Sequence, residues 1–349
     1  MAIKKKQTQK RFPGKMLYIL LGLTLFIAIG LIVLYPYVFS HTHSEATIRI
    51  PANATEQNVA DTLTKYYGKK YASHVMRLAS MKKVDFSKRH GLYTIEEGTN
   101  AFGTMRRIAY GGQTPVRLTI NGFRSLDLLC NRIASKLDFS ADSLKRYLAD
   151  SENLRQYGLT PPQAMALFMD DTYEVYWSAS PEELINKIGR NYMDYWYQGD
   201  NSRKAAEMGI TPADAMILAS IADEESNATT EKGTIARLYL NRLKKNMRLQ
   251  SDPTVRFALN DFTIRRVKGE HLKVNSPYNT YLHTGLPPGP IRTTSRATLD
   301  SFLSSPPNDY LYMCAKEDFS GTHNFAVTFA EHSQNARRYR QALDKRGIK

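Results

Sequence analysis

From Met16 to Phe39 the chain of 349 residues is apolar without one charged side chain, and beyond it the pattern breaks into short helical and alternating stretches. About 20 consecutive apolar residues cross a bilayer as a helix. This run therefore predicts a transmembrane helix over 16–39, with Tyr18 at one interface and Tyr35 and Tyr37 at the other. A strand is expected over 47–50, ended by Pro51. A helix starts near Thr55, with Val59, Leu63 and Tyr67 spaced at four, and a second spans 72–81. The stretch 91–98 and a helical run over 101–109 complete a small α+β module over 45–115.

A strand at 116–120 opens the larger part, expected as a mixed α+β domain over 116–349. Leu- and Ala-rich patterns place helices at 126–137, 141–149 and 181–197. Ser180, Pro181 and Glu183 form a capping box at the start of the last. Thr211, Pro212 and Asp214 start the next helix by the same logic, and it runs to Glu225. A partner helix over 231–246 buries Ile235, Leu238, Tyr239 and Leu243. The segments 248–255, 276–281 and 285–291, dense in Pro and Gly, read as loops.

The helix ending at Glu225 carries the chemistry. At roughly 100° per residue, Ile217, Ile221 and Leu218 fall at about 0°, 40° and 100° on one face. Glu225, at about 80°, lies on that apolar face; Glu224 is on its edge at about 340°, and Asp223 faces away at about 240°. A carboxyl buried among apolar groups has a raised pKa, as a general acid working near neutral pH requires. An acidic helix end with all three carboxylates in water fits this stretch equally well.

Charge adds an orientation. Of the net +15, Lys4, Lys5, Lys6, Lys10, Arg11 and Lys15 lie in the first 15 residues with no acidic residue among them. A basic arm over 1–15 stays cytoplasmic by the positive-inside rule, which puts 40–349 outside, on the periplasmic side of an inner membrane. A cleaved signal peptide is the competing reading, although the run is long and Val38-Phe39-Ser40 is a weak cleavage site. No nucleic-acid recognition motif accompanies the basic balance. Cys130 and Cys314 are too few for a disulfide framework, leaving one bridge or two free thiols open. The eight histidines include no HExxH and no tight cluster, so neither a metal nor another cofactor is expected.

The loops after the two helices bring amides and hydroxyls beside aromatic rings, a combination suited to sugars. Several dispersed blocks in order then carry a resemblance: Ile217-Leu218-Ala219-Ser220-Ile221 with Glu225-Ser226, Asn241-Arg242-Leu243, 247–255, Tyr278-Asn279-Thr280-Tyr281 and 285–291. Asp171-Thr172-Tyr173 and Gly321-Thr322-His323 add to them. From about 116 to 340 the chain resembles the YceG-like endolytic murein transglycosylases, and the module in front resembles a LysM domain. The resemblance implies a membrane-anchored lyase that cuts MurNAc–GlcNAc linkages inside peptidoglycan strands and leaves 1,6-anhydro-MurNAc ends. It implies one acid, which falls on Glu225, with Glu224 as the rival. It also implies penicillin-binding proteins as partners near growing strands.

The other motif residues are expected to contact substrate: Gln250, Asp252, Tyr278, Asn279 and Tyr281, with Asp171 and Tyr173 upstream. For each a local structural role stands beside that expectation. The family usually has proline before the Asp171 position, where this chain has Asp170. Two other classes stay open: a wall-binding scaffold without catalysis, and a muramidase-type hydrolase that pairs Glu225 with Asp171 or Asp252.

Overall fold

The computed structural model describes residues 14–347, and the expected basic arm falls almost wholly outside them. The chain divides between Pro115 and Val116 into two compact units, each described by itself.

The first unit begins with α1 (Gly14–Phe39), whose apolar side chains are exposed along nearly its whole length. It is the one helix among the described residues long and apolar enough to cross a membrane. Strand β1 (Ala46–Ile50) pairs antiparallel with β2 (Gly91–Ile95), placing Ile48 opposite Tyr93. Between them run α2 (Glu56–Tyr67) and α3 (Lys69–Met81); α4 (Ala101–Ala109) follows β2. Thr55 caps α2 through a reciprocal box with Asn58, satisfying two amides the helix leaves free. Ile48, Val59, Leu63, Val75, Tyr93 and Ile95 form a continuous core.

The second unit carries a three-stranded sheet in the order β3 (Pro115–Ile120), β4 (Met169–Tyr176), β5 (Thr294–Ser295). Strands β4 and β5 are parallel, with Met169 beside Thr294. Helices α5 (Leu126–Ala134), α6 (Ala141–Ala149) and α7 (Ser151–Arg155) lie between β3 and β4 in the chain. After β4 come α8 (Pro181–Tyr197), α9 (Asn201–Glu207), α10 (Pro212–Glu225), α11 (Lys232–Lys244) and α12 (Asp252–Leu259). Helix α13 (Arg296–Leu303), the hairpin β6 (Tyr312–Ala315) and β7 (His323–Ala326), and α14 (Phe329–Lys345) complete it. Mixed α+β is therefore the class of the whole.

Helix α10 is the axis of this unit. Every residue from Ala215 to Asp223 is buried, because α11, α12, α13 and β5 surround it. A helix apolar all round has no solvent face. This corrects the expectation that Asp223 faces away into water: it is buried, accepting from Lys232 Nζ and Thr298 Oγ1, both at 2.7 Å.

Two other expectations change. Residues 252–255, read as the end of a loop over 248–255, open α12, because Pro253 in the first turn has a compatible φ and donates no amide that a helix would need there. The helix expected to reach 137 ends at Ala134. The segment 285–291 stays irregular and locks onto α10: Ile291 N donates to Ser220 Oγ, which donates to the Ile217 carbonyl. Gly289 is required there, since a Cβ would lie 1.9 Å from the Pro162 carbonyl oxygen. Cys130 is buried in α5 and Cys314 half-buried in β6, both as free thiols.

Candidate active site

Helix α10 stops at Glu225 because Ser226 turns extended, with φ −141°, and its hydroxyl donates to Glu231 instead. Glu225 thus occupies the last position of a helix whose end carries partial negative charge, a place unfavourable to a carboxylate. It faces an open cleft of about 390 Å³. Leu238, Tyr239 and Arg242 of α11 and the 249–252 turn contribute to the lining; Tyr281 comes from the following loop. Tyr312, Met313, Phe329 and His332 line it as well.

One edge of the Glu225 side chain meets the cleft, and protein atoms crowd the rest. Burial is the largest influence on it and raises its pKa; the nearby Asp252 adds to the rise. Two hydrogen bonds work the other way: Tyr239 Oη and Ser251 Oγ each donate to Glu225 Oε1 at 2.6 Å. The net direction is upward. Both of these bonds fall on one oxygen, so Oε2 is the atom with room to carry a proton.

The turn before α12 is held in a costly shape. Gln250 has φ +53°, a left-handed conformation that a residue with a side chain adopts only when its surroundings enforce it. Its N–H donates to the Thr280 carbonyl, and its Oε1 accepts from Arg242 Nη2 at 2.6 Å. Arg242 is itself buried, donating to the carbonyls of Arg248 and Leu311. Asp252 accepts from Tyr281 Oη at 2.6 Å, and burial pushes that phenol's pKa up.

Of the residues expected at the site, Glu225, Gln250, Asp252 and Tyr281 line one cleft. The other four are placed elsewhere. Asn279 is fully buried; its amide nitrogen donates to the carbonyls of Leu272 and Val274, and its oxygen accepts from Tyr281 N. Tyr278 packs against Phe257, ring centroids 4.6 Å apart. Asp171 and Tyr173 lie on β4 and share Asn191 of α8, with Tyr173 Oη donating to the Met169 carbonyl. None of these four lines the cleft: the side-chain nitrogen and oxygen of Asn279 both have backbone partners, and Asp171 and Tyr173 meet Asn191.

Asp170, the departure from the family pattern, ties strands and loops together by accepting from Gly122 N and Thr293 Oγ1. The rival Glu224 accepts from Arg124 Nε at 2.8 Å and Arg292 Nη1 at 2.9 Å and does not line the cleft. His323 bonds Glu231 at 2.7 Å. Burial pushes Glu231 upward, and the hydrogen bonds from Ser226 and His323 outweigh it, leaving its pKa below the ordinary value.

Tyr239 and Ser251 were not singled out from sequence for any role toward Glu225. Tyr239 reads as an ordinary apolar-stripe residue of α11, and nothing in its spacing signals a bond to a carboxyl 14 positions earlier. Ser251 sits between Gln250 and Asp252, which draw attention as the larger polar groups.

A carboxyl with a raised pKa therefore stands at the end of α10, in a cleft lined by polar and aromatic side chains. The chain belongs to the YceG-like family, which residues 48–338 match. It is 39% identical over 124 residues to an endolytic murein transglycosylase of Bacillus subtilis, covering 36% of this chain and 34% of that protein. It is 23% identical over 323 residues to an endolytic murein transglycosylase of Streptococcus pneumoniae, covering 83% of this chain and 57% of that one. The chain thus spans between a third and three fifths of the length of these curated relatives. A crystal structure of a YceG-like protein from Listeria monocytogenes shares the fold, with TM-score 0.52 and 24% identity over 84% of this chain and 99% of that one.

Proposed function

We propose that this protein is a membrane-anchored endolytic lytic transglycosylase of peptidoglycan, with Glu225 as its only acid and base. The observation that carries the reading is the raised pKa of Glu225 at the cleft surface together with two donors on its Oε1. Protonated Glu225 gives its proton to the oxygen of the MurNAc–GlcNAc bond, and the C1–O bond breaks. The carboxylate left behind is stabilised by Tyr239 and Ser251. It then removes the proton of the muramic C6 hydroxyl as that oxygen bonds to C1, closing the anhydro ring and restoring the acid. No water enters, so no second carboxylate is needed, whereas hydrolysing glycosidases normally use two.

Gln250, Asp252 and Tyr281 contact the strand on this reading. Helix α1 is the anchor, with 40–349 on the outer side of the cytoplasmic membrane and the basic arm inside. The strand–helix–helix–strand order over 45–115 supports reading that module as LysM-like, beside the domain over 116–349. Penicillin-binding proteins are the expected partners.

Asp252 in the same cleft favours one second reading, a muramidase-type hydrolase. Mass spectrometry of peptidoglycan digested by the full chain separates the two. Anhydro ends, lighter by one water, support the lyase; reducing ends support the hydrolase; intact strands leave a binding scaffold.

A further inference from the structure

The cleft has a second wall that none of the site residues above accounts for. Tyr312 of β6 and Phe329 and His332 at the start of α14 form a ring cluster. Tyr312 and His332 stack with centroids 5.4 Å apart at 24°, and Phe329 lies 5.9 Å from Tyr312 and 6.1 Å from His332. Phe329 is 67% exposed, an unusual position for a phenylalanine outside a membrane segment. Arg242 lies behind the cluster, its guanidinium carbon 5.8 Å from the centre of the Tyr312 ring. The donors of Arg242 point at backbone carbonyls and Gln250, so its charge supports the wall rather than offering a salt bridge to the cleft.

His332 gives the wall a polar end. Its Nδ1 is buried without a hydrogen-bond partner. Burial, then the charge of Arg242, lower its pKa. The ring is therefore neutral at neutral pH, and a nitrogen with no acceptor is a poor place for its proton. With Nδ1 enclosed and unpartnered, Nε2 is the ring nitrogen left to carry the proton and offer a donor.

We infer that Tyr312, Phe329 and His332 form a saccharide subsite that takes an uncharged N-acetylhexosamine ring, next to Glu225. The C–H face of a pyranose lies on the exposed aromatic surface, as apolar area against apolar area. The Nε2–H of His332 donates to a hydroxyl or to the acetamido oxygen. A wall without a free cation selects this neutral unit over a lactyl or peptide carboxylate. The inference rests on the proposed activity for the identity of its ligand.

The test uses the full chain in detergent with Glu225→Gln, which prevents turnover, titrated calorimetrically with a peptide-free tetrasaccharide of alternating GlcNAc and MurNAc. In that background Phe329→Ala is expected to weaken binding about tenfold, equivalent to about 1.4 kcal/mol. His332→Phe, which keeps a ring and removes the donor, is expected to weaken it severalfold. Phe329 is exposed, so the melting temperature of its variant stays at the parent value. Unchanged affinity in both variants overturns the subsite, and so does a parent that binds no tetrasaccharide. If the parent binds and the wall variants weaken it, while the chain with native Glu225 releases no anhydro ends, the subsite stands and the proposed chemistry falls.

Discussion

Replacing Tyr239 by Phe removes one of the two donors on Glu225 Oε1 and leaves the ring in place. The bond is 2.6 Å long and serves a carboxyl in crowded surroundings. A hydrogen bond to a charged group contributes about 1.5–3 kcal/mol. Because the phenol favours the ionised form of Glu225, its loss raises an already raised pKa further, by the free energy that bond gives the carboxylate. The protonated form starts the reaction, so activity declines as pH rises through this pKa. The descending limb of the pH–rate profile for release of anhydro-ended fragments is expected to move to higher pH. Activity at the optimum should also drop, because the carboxylate formed in mid-reaction has lost a donor. Circular dichroism and melting temperature check that the fold survives. A limb that stays in place, or moves to lower pH, in a folded variant refutes the assignment of that pKa to Glu225.

Glu225→Gln should be more heat-stable than the parent at neutral pH. Since the folded pKa lies above the unfolded one, the native state binds more protons between them and stability falls as pH rises through that window. The advantage of the variant should shrink below the ordinary carboxylate range, and a variant less stable at pH 7 contradicts the burial argument. Asn279→Ala leaves the carbonyls of Leu272 and Val274 without their donor and is expected to cost about 1–3 kcal/mol in denaturant melts. Its activity should fall mainly through loss of Tyr281 positioning; full stability with lost binding would instead make Asn279 a direct contact. Gly289→Ala drives a methyl into the Pro162 carbonyl and is expected to destabilise by about 1–3 kcal/mol, read from chemical denaturation.

Local signals carried much of this fold. The capping residues Thr55, Ser180 and Thr211 mark helix starts where the structure has them, because a cap is a contact within four residues. The apolar stripe into Glu225 puts that carboxyl on the apolar face of its helix, and burial dominates its surroundings in the fold. The same wheel misplaced Asp223, because it assumes a solvent side and α10 has none once α13 and Lys232 close over it. Helix α12 was hidden by Pro253 and the polar residues around it. Tyr239, Ser251 and the Tyr312–His332 wall were illegible for a different reason: each reaches the cleft through tertiary contacts that leave no periodic trace. Asn279 shows another limit: an asparagine in a motif-dense loop reads as a ligand group, and sequence gives no sign that its amide nitrogen meets the carbonyls of Leu272 and Val274.

The central claim is that Glu225 holds a proton at rest in the folded protein. Carbon NMR of the full chain labelled at glutamate carboxyls, with the Glu225 signal identified by its disappearance in Glu225→Gln, reads that proton directly. This one resonance is expected to titrate above the ordinary glutamate range. A Glu225 signal already fully ionised at pH 5 would contradict it.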